Sequence, residues 1–110
     1  MASLILFAGV PVTDIAVGRA WYERLFGRPP DLVPHESEVA WQLAEAGWIY
    51  VVEDPARAVK SLLTLIVEDF DAEVASVADR GLAPDARAEG PPRKAEFIDP
   101  DGNKLTFGQP

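Results

Sequence analysis

The 110-residue sequence predicts an α+β fold in which one βαβββ unit occurs twice in tandem. Each half begins with a strand pattern followed by a helix pattern, and each closes with two strand patterns around a turn. A shift of 55 residues aligns the starts of the two halves, as a duplicated unit would. We therefore expect one domain over residues 1–110, with module 1 at about 1–55 and module 2 at about 56–110.

The first half opens with a strand over residues 4–12, which are mostly β-branched and aliphatic. Thr13 and Asp14 are suited to cap a helix, because their side-chain oxygens can accept hydrogen bonds from its free N–H groups. That helix has apolar residues at helical spacing and ends at Gly27, before two prolines. Residues 32–35 predict a weak strand, and residues 39–43 and 47–52 predict two strands joined by a turn.

The second half repeats this order. Residues 62–67 predict a strand, and a helix follows from Asp69 to Gly81 with apolar residues along one face. Residues 82–92 contain three prolines, so only a short edge strand is expected there. The chain closes with a β-hairpin around the DPDGN sequence at 99–103, where Gly102 can adopt the positive φ of a tight turn.

Composition excludes several classes of function. Eighteen Asp and Glu against ten Lys and Arg give a net charge of −8, which disfavours nucleic acid as a partner. Cysteine is absent, which excludes disulfides, thiolate ligands and a cysteine nucleophile. The N-terminal apolar run follows no basic segment and is broken by Gly9 and Pro11, so we expect a cytoplasmic protein with no membrane partner.

Four landmarks in order resemble the vicinal oxygen chelate superfamily, which includes glyoxalases, bleomycin resistance proteins and extradiol dioxygenases. They are Val12-x-Asp14 before the first helix, Trp21-Tyr22 within it, Leu25-Phe26-Gly27 at its exit, and DPDGN at residues 99–103. The similarity covers essentially the whole chain. It implies that each half curls its mixed sheet into part of a cup, with the helices on the outside and the site on the cup floor.

The resemblance also implies where metal-dependent members place their ligands, namely on the first and last strand of each half. Those positions fall on Phe7, Val51, Leu62 and Thr106. None is a histidine, carboxylate or thiolate, the donors that divalent transition metals prefer, and a threonine hydroxyl ligates only weakly. We therefore predict no metal and no other cofactor. The only histidine, His35, lies in a loop-like segment and is expected to be exposed or locally hydrogen-bonded.

Strand alternation assigns side chains to the cup. If Thr106 faces inward, so does Lys104, whereas Leu105 and Phe107 face the helices. Phe97 competes with Glu96 for a buried position, so the register of that strand is left open. For Trp48 and Tyr50, packing in the core is the favoured interpretation. The predicted ligand-binding residues are Phe7, Trp41, Ile49, Val51, Leu62, Glu96, Lys104 and Thr106, with Leu43 and Ile98 on the same face.

Apolar walls with a few polar groups are typical of a small-molecule pocket. The sequence therefore predicts a metal-independent homodimer, resembling the bleomycin resistance branch, that binds a small cationic or aromatic organic molecule. The alternative is a glyoxalase- or dioxygenase-type enzyme, a lyase, isomerase or oxygenase with an atypical site. Glu96 and Lys104 are its only candidate titratable pair, and a cross-strand ion pair is the favoured interpretation of these two. A third reading is an interaction module that binds no ligand.

Overall fold

Two four-stranded sheets, each with one helix, form the structure, a computed structural model that describes residues 1–58 and 60–110. The elements of the first half are β1 (Leu6–Val12), α1 (Ile15–Phe26), β2 (Leu32–His35), β3 (Glu38–Ala44) and β4 (Gly47–Glu53). A single 3-10 turn, Pro55–Arg57, follows β4. The elements of the second half are β5 (Leu62–Ile66), α2 (Phe70–Asp79), β6 (Ala86–Ala88), β7 (Lys94–Ile98) and β8 (Lys104–Gly108).

Both sheets have the same topology. Their strand orders are β1-β4-β3-β2 and β5-β8-β7-β6. In each sheet the first strand pairs in parallel with the last, and the other neighbours are antiparallel. This confirms two tandem βαβββ units, which we call module 1 (β1, α1, β2–β4) and module 2 (β5, α2, β6–β8). The weak strand at residues 32–35 and the short edge strand are both present.

The caps confirm both predicted helix starts and the end of α1, whereas α2 ends at Asp79, before the predicted Gly81. Asp14 Oδ1 accepts hydrogen bonds from the backbone N–H groups of Ala16 and Val17 at 2.9 and 3.2 Å. In the same way, the Asp69 side chain caps α2. Gly27 ends α1 with a φ of 79°, a left-handed conformation that glycine adopts without steric cost. Neither helix in the described part of the chain has the length and hydropathy that a membrane span requires.

One hydrophobic core is shared by the two modules. It contains the helix-facing side chains of both sheets together with the apolar faces of α1 and α2. Trp41 is fully buried in it, with its ring centroid 5.3 Å from that of Phe26 and 6.4 Å from that of Tyr22. Because the inner faces of both sheets contribute to one core, the opposite faces point away from it. We call these the open faces.

The DPDGN hairpin is held by a buried polar network. Asp99 Oδ1 accepts hydrogen bonds from the backbone N–H groups of Asp101 and Asn103 at 2.8 and 2.9 Å. Asp99 Oδ2 accepts from the Tyr22 hydroxyl at 2.8 Å and from Asn103 Nδ2 at 2.9 Å. Asn103 Nδ2 also donates to the carbonyl oxygen of Pro11 at 3.0 Å, which ties the turn to module 1. The network therefore gives this motif a structural role.

Burial, reinforced by the neighbouring Asp99 carboxylate, raises the pKa of the Tyr22 phenol well above its usual range. The hydroxyl therefore stays protonated and donates a hydrogen bond across the physiological pH range. It joins α1 of module 1 to the hairpin of module 2, and this contact was not foreseen from the sequence, which only places Tyr22 on the apolar face of a helix.

The register of the repeat changes by one residue between the first strand and the antiparallel strands. Val10 and Leu65 lie 55 residues apart, and both contact the core. Trp41 and Phe97 lie 56 residues apart, and both are buried in it. Module 2 therefore has one more residue than module 1 between its helix and its last two strands. The 55-residue shift is correct for the first strand and the helix but wrong beyond them.

This change corrects four predicted orientations. Because side chains alternate along a strand, a one-residue shift turns every side chain of that strand to the other face. Trp41, Ile49 and Val51 are buried in the core and do not line the open face, so their assignment to the cup was wrong. The Trp41 indole Nε1 donates to the carbonyl oxygen of Arg28 at 3.0 Å. Leu43 likewise packs against the core.

Candidate ligand-binding site

The open face of module 1 is aromatic. Strand pairing places Phe7 opposite Trp48 and Gly9 opposite Tyr50, and all four lie on the side away from the core. Trp48 and Tyr50 are half-buried there, so the preference for core packing at these two positions was wrong. The residues of this face on β1, β3 and β4 are Phe7, Gly9, Pro11, Glu38, Ala40, Gln42, Trp48, Tyr50 and Val52.

The open face of module 2 mixes apolar and polar side chains. Leu62, Glu96, Lys104 and Thr106 all lie on it, as strand alternation predicted. Their contact with a ligand stays a prediction. The residues of this face on β5, β7 and β8 are Leu62, Thr64, Ile66, Lys94, Glu96, Ile98, Lys104, Thr106 and Gly108.

Glu96 and Lys104 form an ion pair on this second face. The Lys104 Nζ atom lies 3.5 Å from Glu96 Oε1, and about a third of each side chain is exposed. The two residues are diagonal neighbours, since Glu96 pairs with Thr106 and Lys104 with Ile98. This confirms the cross-strand ion pair expected from the sequence. Each charge already has a partner, so the pair is suited to hydrogen-bond a ligand rather than to remove its proton.

A groove of about 630 Å³ runs along the open face of module 1. Its apolar part comes from β1 and β4, and its far end is closed by the 3-10 turn. The two charged side chains at that end, Asp54 and Arg57, form an ion pair with a distance of 2.9 Å. The lining residues are Gly9, Pro11, Tyr50, Val52, Asp54, Ala56 and Arg57.

The residues at the implied ligand positions do not fit a divalent metal. With the corrected register, those positions are Phe7 and Tyr50 in module 1 and Leu62 and Thr106 in module 2. Two are hydrocarbons, and the others offer one alcohol and one phenol, none of which is a donor that these metals prefer. Within residues 1–58 and 60–110, no group of three or more His, Cys, Asp or Glu side chains is arranged to hold a metal ion.

His35 lies on the edge strand β2, opposite Glu38 at the margin of the open face of module 1. Its Nδ1 atom lies 2.7 Å from Ser37 Oγ, and its Nε2 atom lies 3.5 Å from Glu38 Oε1. About half of the imidazole is exposed. The local, solvent-exposed role expected for this histidine is thus confirmed.

Large apolar side chains are exposed on both open faces. Leu62 and Ile66 on β5 are 75% and 63% exposed, and Phe7 on β1 is 48% exposed. Ile98 on β7 is also exposed. Large apolar side chains that stay exposed on one face are typical of a binding or assembly surface in soluble proteins. The geometry therefore defines two open faces, one aromatic and one that mixes apolar side chains with an ion pair.

Comparison with solved structures places this architecture among known proteins, whereas neither the protein-family models nor the curated proteins gave a match. A glyoxalase/bleomycin resistance protein from Catenulispora acidiphila is 42% identical, with a TM-score of 0.94, over 98% of this chain and 99% of the other. TnmS3, an antibiotic binding protein from a Streptomyces species, is 30% identical, with a TM-score of 0.72, over 99% of this chain and 97% of the other.

A bleomycin-binding protein in complex with bleomycin is 21% identical, with a TM-score of 0.70, over 93% of this chain and 94% of the other. At that identity the likeness concerns the fold alone. The tandem βαβββ modules and their shared core define a protein of the vicinal oxygen chelate superfamily. Within that superfamily, the chain belongs to the glyoxalase/bleomycin resistance protein family.

Proposed function

We propose that this protein binds a small organic molecule on its open faces without a metal ion. The observation that carries the proposal is the groove of about 630 Å³ on an open face that also carries Phe7 and Trp48, beside metal-ligand positions that hold no suitable donors. Pockets with apolar and aromatic walls and a few polar groups are typical of small-molecule sites. The antibiotic-binding name of TnmS3, a 30% identical relative, supports binding as the function in this part of the family.

The proposed ligand-contacting residues come from both modules. Module 1 contributes Phe7, as predicted from the sequence, together with Trp48 and Tyr50, which the corrected register adds. Module 2 contributes Leu62, Thr106 and the ion pair of Glu96 and Lys104. The aromatic groups supply contact area, and the hydroxyl and charged groups supply hydrogen bonds that orient the ligand.

We further propose that a second copy of this chain completes the site. Both open faces point away from the common core, so within one chain they do not enclose a ligand between them. A two-fold dimer would bring module 1 of one protomer against module 2 of its partner twice, which forms two equal cups. It would also cover the exposed side chains of Leu62 and Ile66. The cytoplasmic location stays a prediction.

Binding is favoured over a glyoxalase- or dioxygenase-type reaction because of the groups present. The Glu96 carboxylate is paired with Lys104, and Tyr22, the phenol with a raised pKa, is buried in the core. A general base needs an available proton acceptor within reach of the substrate. The carboxylates of the open faces already have partners, because Glu38 lies 3.5 Å from His35, Asp54 is paired with Arg57 and Glu96 with Lys104.

A thermal-shift screen with protein stripped by a chelator tests the proposal. A ligand at a hundred times its dissociation constant is expected to raise the free energy of unfolding by about 2.7 kcal/mol, with or without the chelator. The matched control is Val52→Trp, which fills the groove without altering the core and should abolish the shift. If the chelator removes a stoichiometric metal ion and ligand binding is lost with it, the result would support the enzyme. No shift across a broad panel would support the interaction module.

A further inference from the structure

Three aromatic side chains, Phe7, Trp48 and Tyr50, form a wall on the open face of module 1. The rings of Phe7 and Trp48 are stacked, with centroids 5.5 Å apart and planes inclined by 23°. Tyr50 follows two residues further along β4 on the same face. The ring of Phe7 is about half exposed, and the other two are half-buried. The core does not account for these rings, because all three lie on the opposite side of the sheet from it.

Gly9 makes room for the third ring. A Cβ atom at this position would lie 2.5 Å from Tyr50 Cζ and 2.6 Å from its hydroxyl oxygen. Side-chain carbon atoms do not approach so closely, so the Tyr50 ring occupies the space that a side chain on β1 would fill. Every other amino acid at position 9 would push the ring away. The wall is therefore a built feature that depends on both strands.

The charged side chains on the open face of module 1 have partners. Asp54 and Arg57, which line the groove, are paired at 2.9 Å. Glu38, which pairs with Val52 across the strands, lies 3.5 Å from His35. A cation on this face would have to break one of these pairs or bind without a counter-ion, and burying an unpaired charge is costly. The net charge of −8 on the whole chain disfavours an anion.

We propose that the ligand is an uncharged molecule with a planar ring system, and that Phe7, Trp48 and Tyr50 bind this ring by stacking. This inference rests on the proposed function and decides between the cationic and the aromatic ligand that the sequence left open. Stacked or edge-to-face rings attract each other beyond the effect of the area they bury. An aliphatic molecule of equal size lacks that contribution, and a cation gains nothing from the paired charges.

Three probes that share a carbon count test the inference by calorimetric titration. They are naphthylmethanol, which is planar and neutral, naphthylmethylamine, which is planar and cationic, and adamantylmethanol, which is globular and neutral. Wild-type protein is expected to bind naphthylmethanol most tightly. Replacing Phe7, Trp48 or Tyr50 with leucine keeps an apolar side chain but removes a ring. Each replacement should weaken the binding of naphthylmethanol on the order of threefold to tenfold. Adamantylmethanol should be unaffected.

The matched control is Leu65→Phe, which adds a ring on the core side of the module 2 sheet. It should leave the ranking of the probes unchanged. Tightest binding of the amine, or equal loss of all probes in the leucine variants, would overturn the inference while the proposed function stands. Leucine variants that bind naphthylmethanol normally but lose the dimer would assign the rings to the subunit contact and would also overturn it. If no organic molecule binds wild-type protein, the proposed function itself fails.

Discussion

Replacing Asp99 with alanine is expected to lower the free energy of unfolding by roughly 3–5 kcal/mol. Asp99 is 4% exposed, and its carboxylate accepts four hydrogen bonds, from Tyr22, from the backbone of Asp101, and from the backbone and side chain of Asn103. Its removal leaves these donors without their acceptor inside the protein, and such groups are costly to bury. In a domain of this size the melting temperature should fall by roughly 13–22 °C.

Two matched variants separate the network from a general effect of the turn. Asp101→Ala removes the same side chain two residues later, where it only accepts an exposed hydrogen bond from Thr13, and should cost less than about 1 kcal/mol. Tyr22→Phe removes one bond and leaves Asp99 with three, so an intermediate loss is expected. Thermal and denaturant unfolding measure all three. If Asp99→Ala is no worse than Asp101→Ala, the network does not hold the modules together.

A heterodimer of two blocked chains is expected to recover half of the wild-type binding sites. Val52→Trp blocks the open face of module 1, and Thr64→Trp blocks the open face of module 2. If each cup combines module 1 of one protomer with module 2 of its partner, either variant alone loses both cups. The mixed dimer then contains one cup with two blocked faces and one with none.

This experiment uses two affinity tags to purify the mixed dimer, and calorimetry counts its sites. Sedimentation should first show wild-type protein and both variants at twice the 12.0 kDa mass of the chain. A mixed dimer that binds nothing, while wild-type protein binds, would mean that each chain forms its cup alone. A wild-type monomer at micromolar concentration would exclude shared cups altogether.

Local signals in the sequence were sufficient for the order of elements and for module 2. Asp14 and Asp69 predicted the helix starts because capping depends on a side chain and the N–H groups within three residues of it. The faces of β7 and β8 followed from Thr106 because alternation holds within a single hairpin. Such features do not require knowledge of the rest of the fold.

The predicted faces of β3 and β4 depended instead on applying the 55-residue shift to module 1. Because the true shift for these strands is one residue longer, the predicted faces were reversed. The sequence did contain a warning. Phe97 and Glu96 competed for the same face, and choosing Phe97 for the core would have moved the shift to 56 and placed Tyr50, not Val51, on the open face. The bond between Tyr22 and Asp99 joins residues 77 positions apart and has no local signature.

A crystal structure of chelator-treated protein soaked with naphthylmethanol tests the central claim most directly. The account predicts a dimer with the planar ring against Phe7, Trp48 and Tyr50 of one protomer, enclosed by module 2 of its partner, and no metal ion within reach of the probe. A transition metal coordinated between the open faces, or a ring bound elsewhere while these faces stay empty, would contradict it.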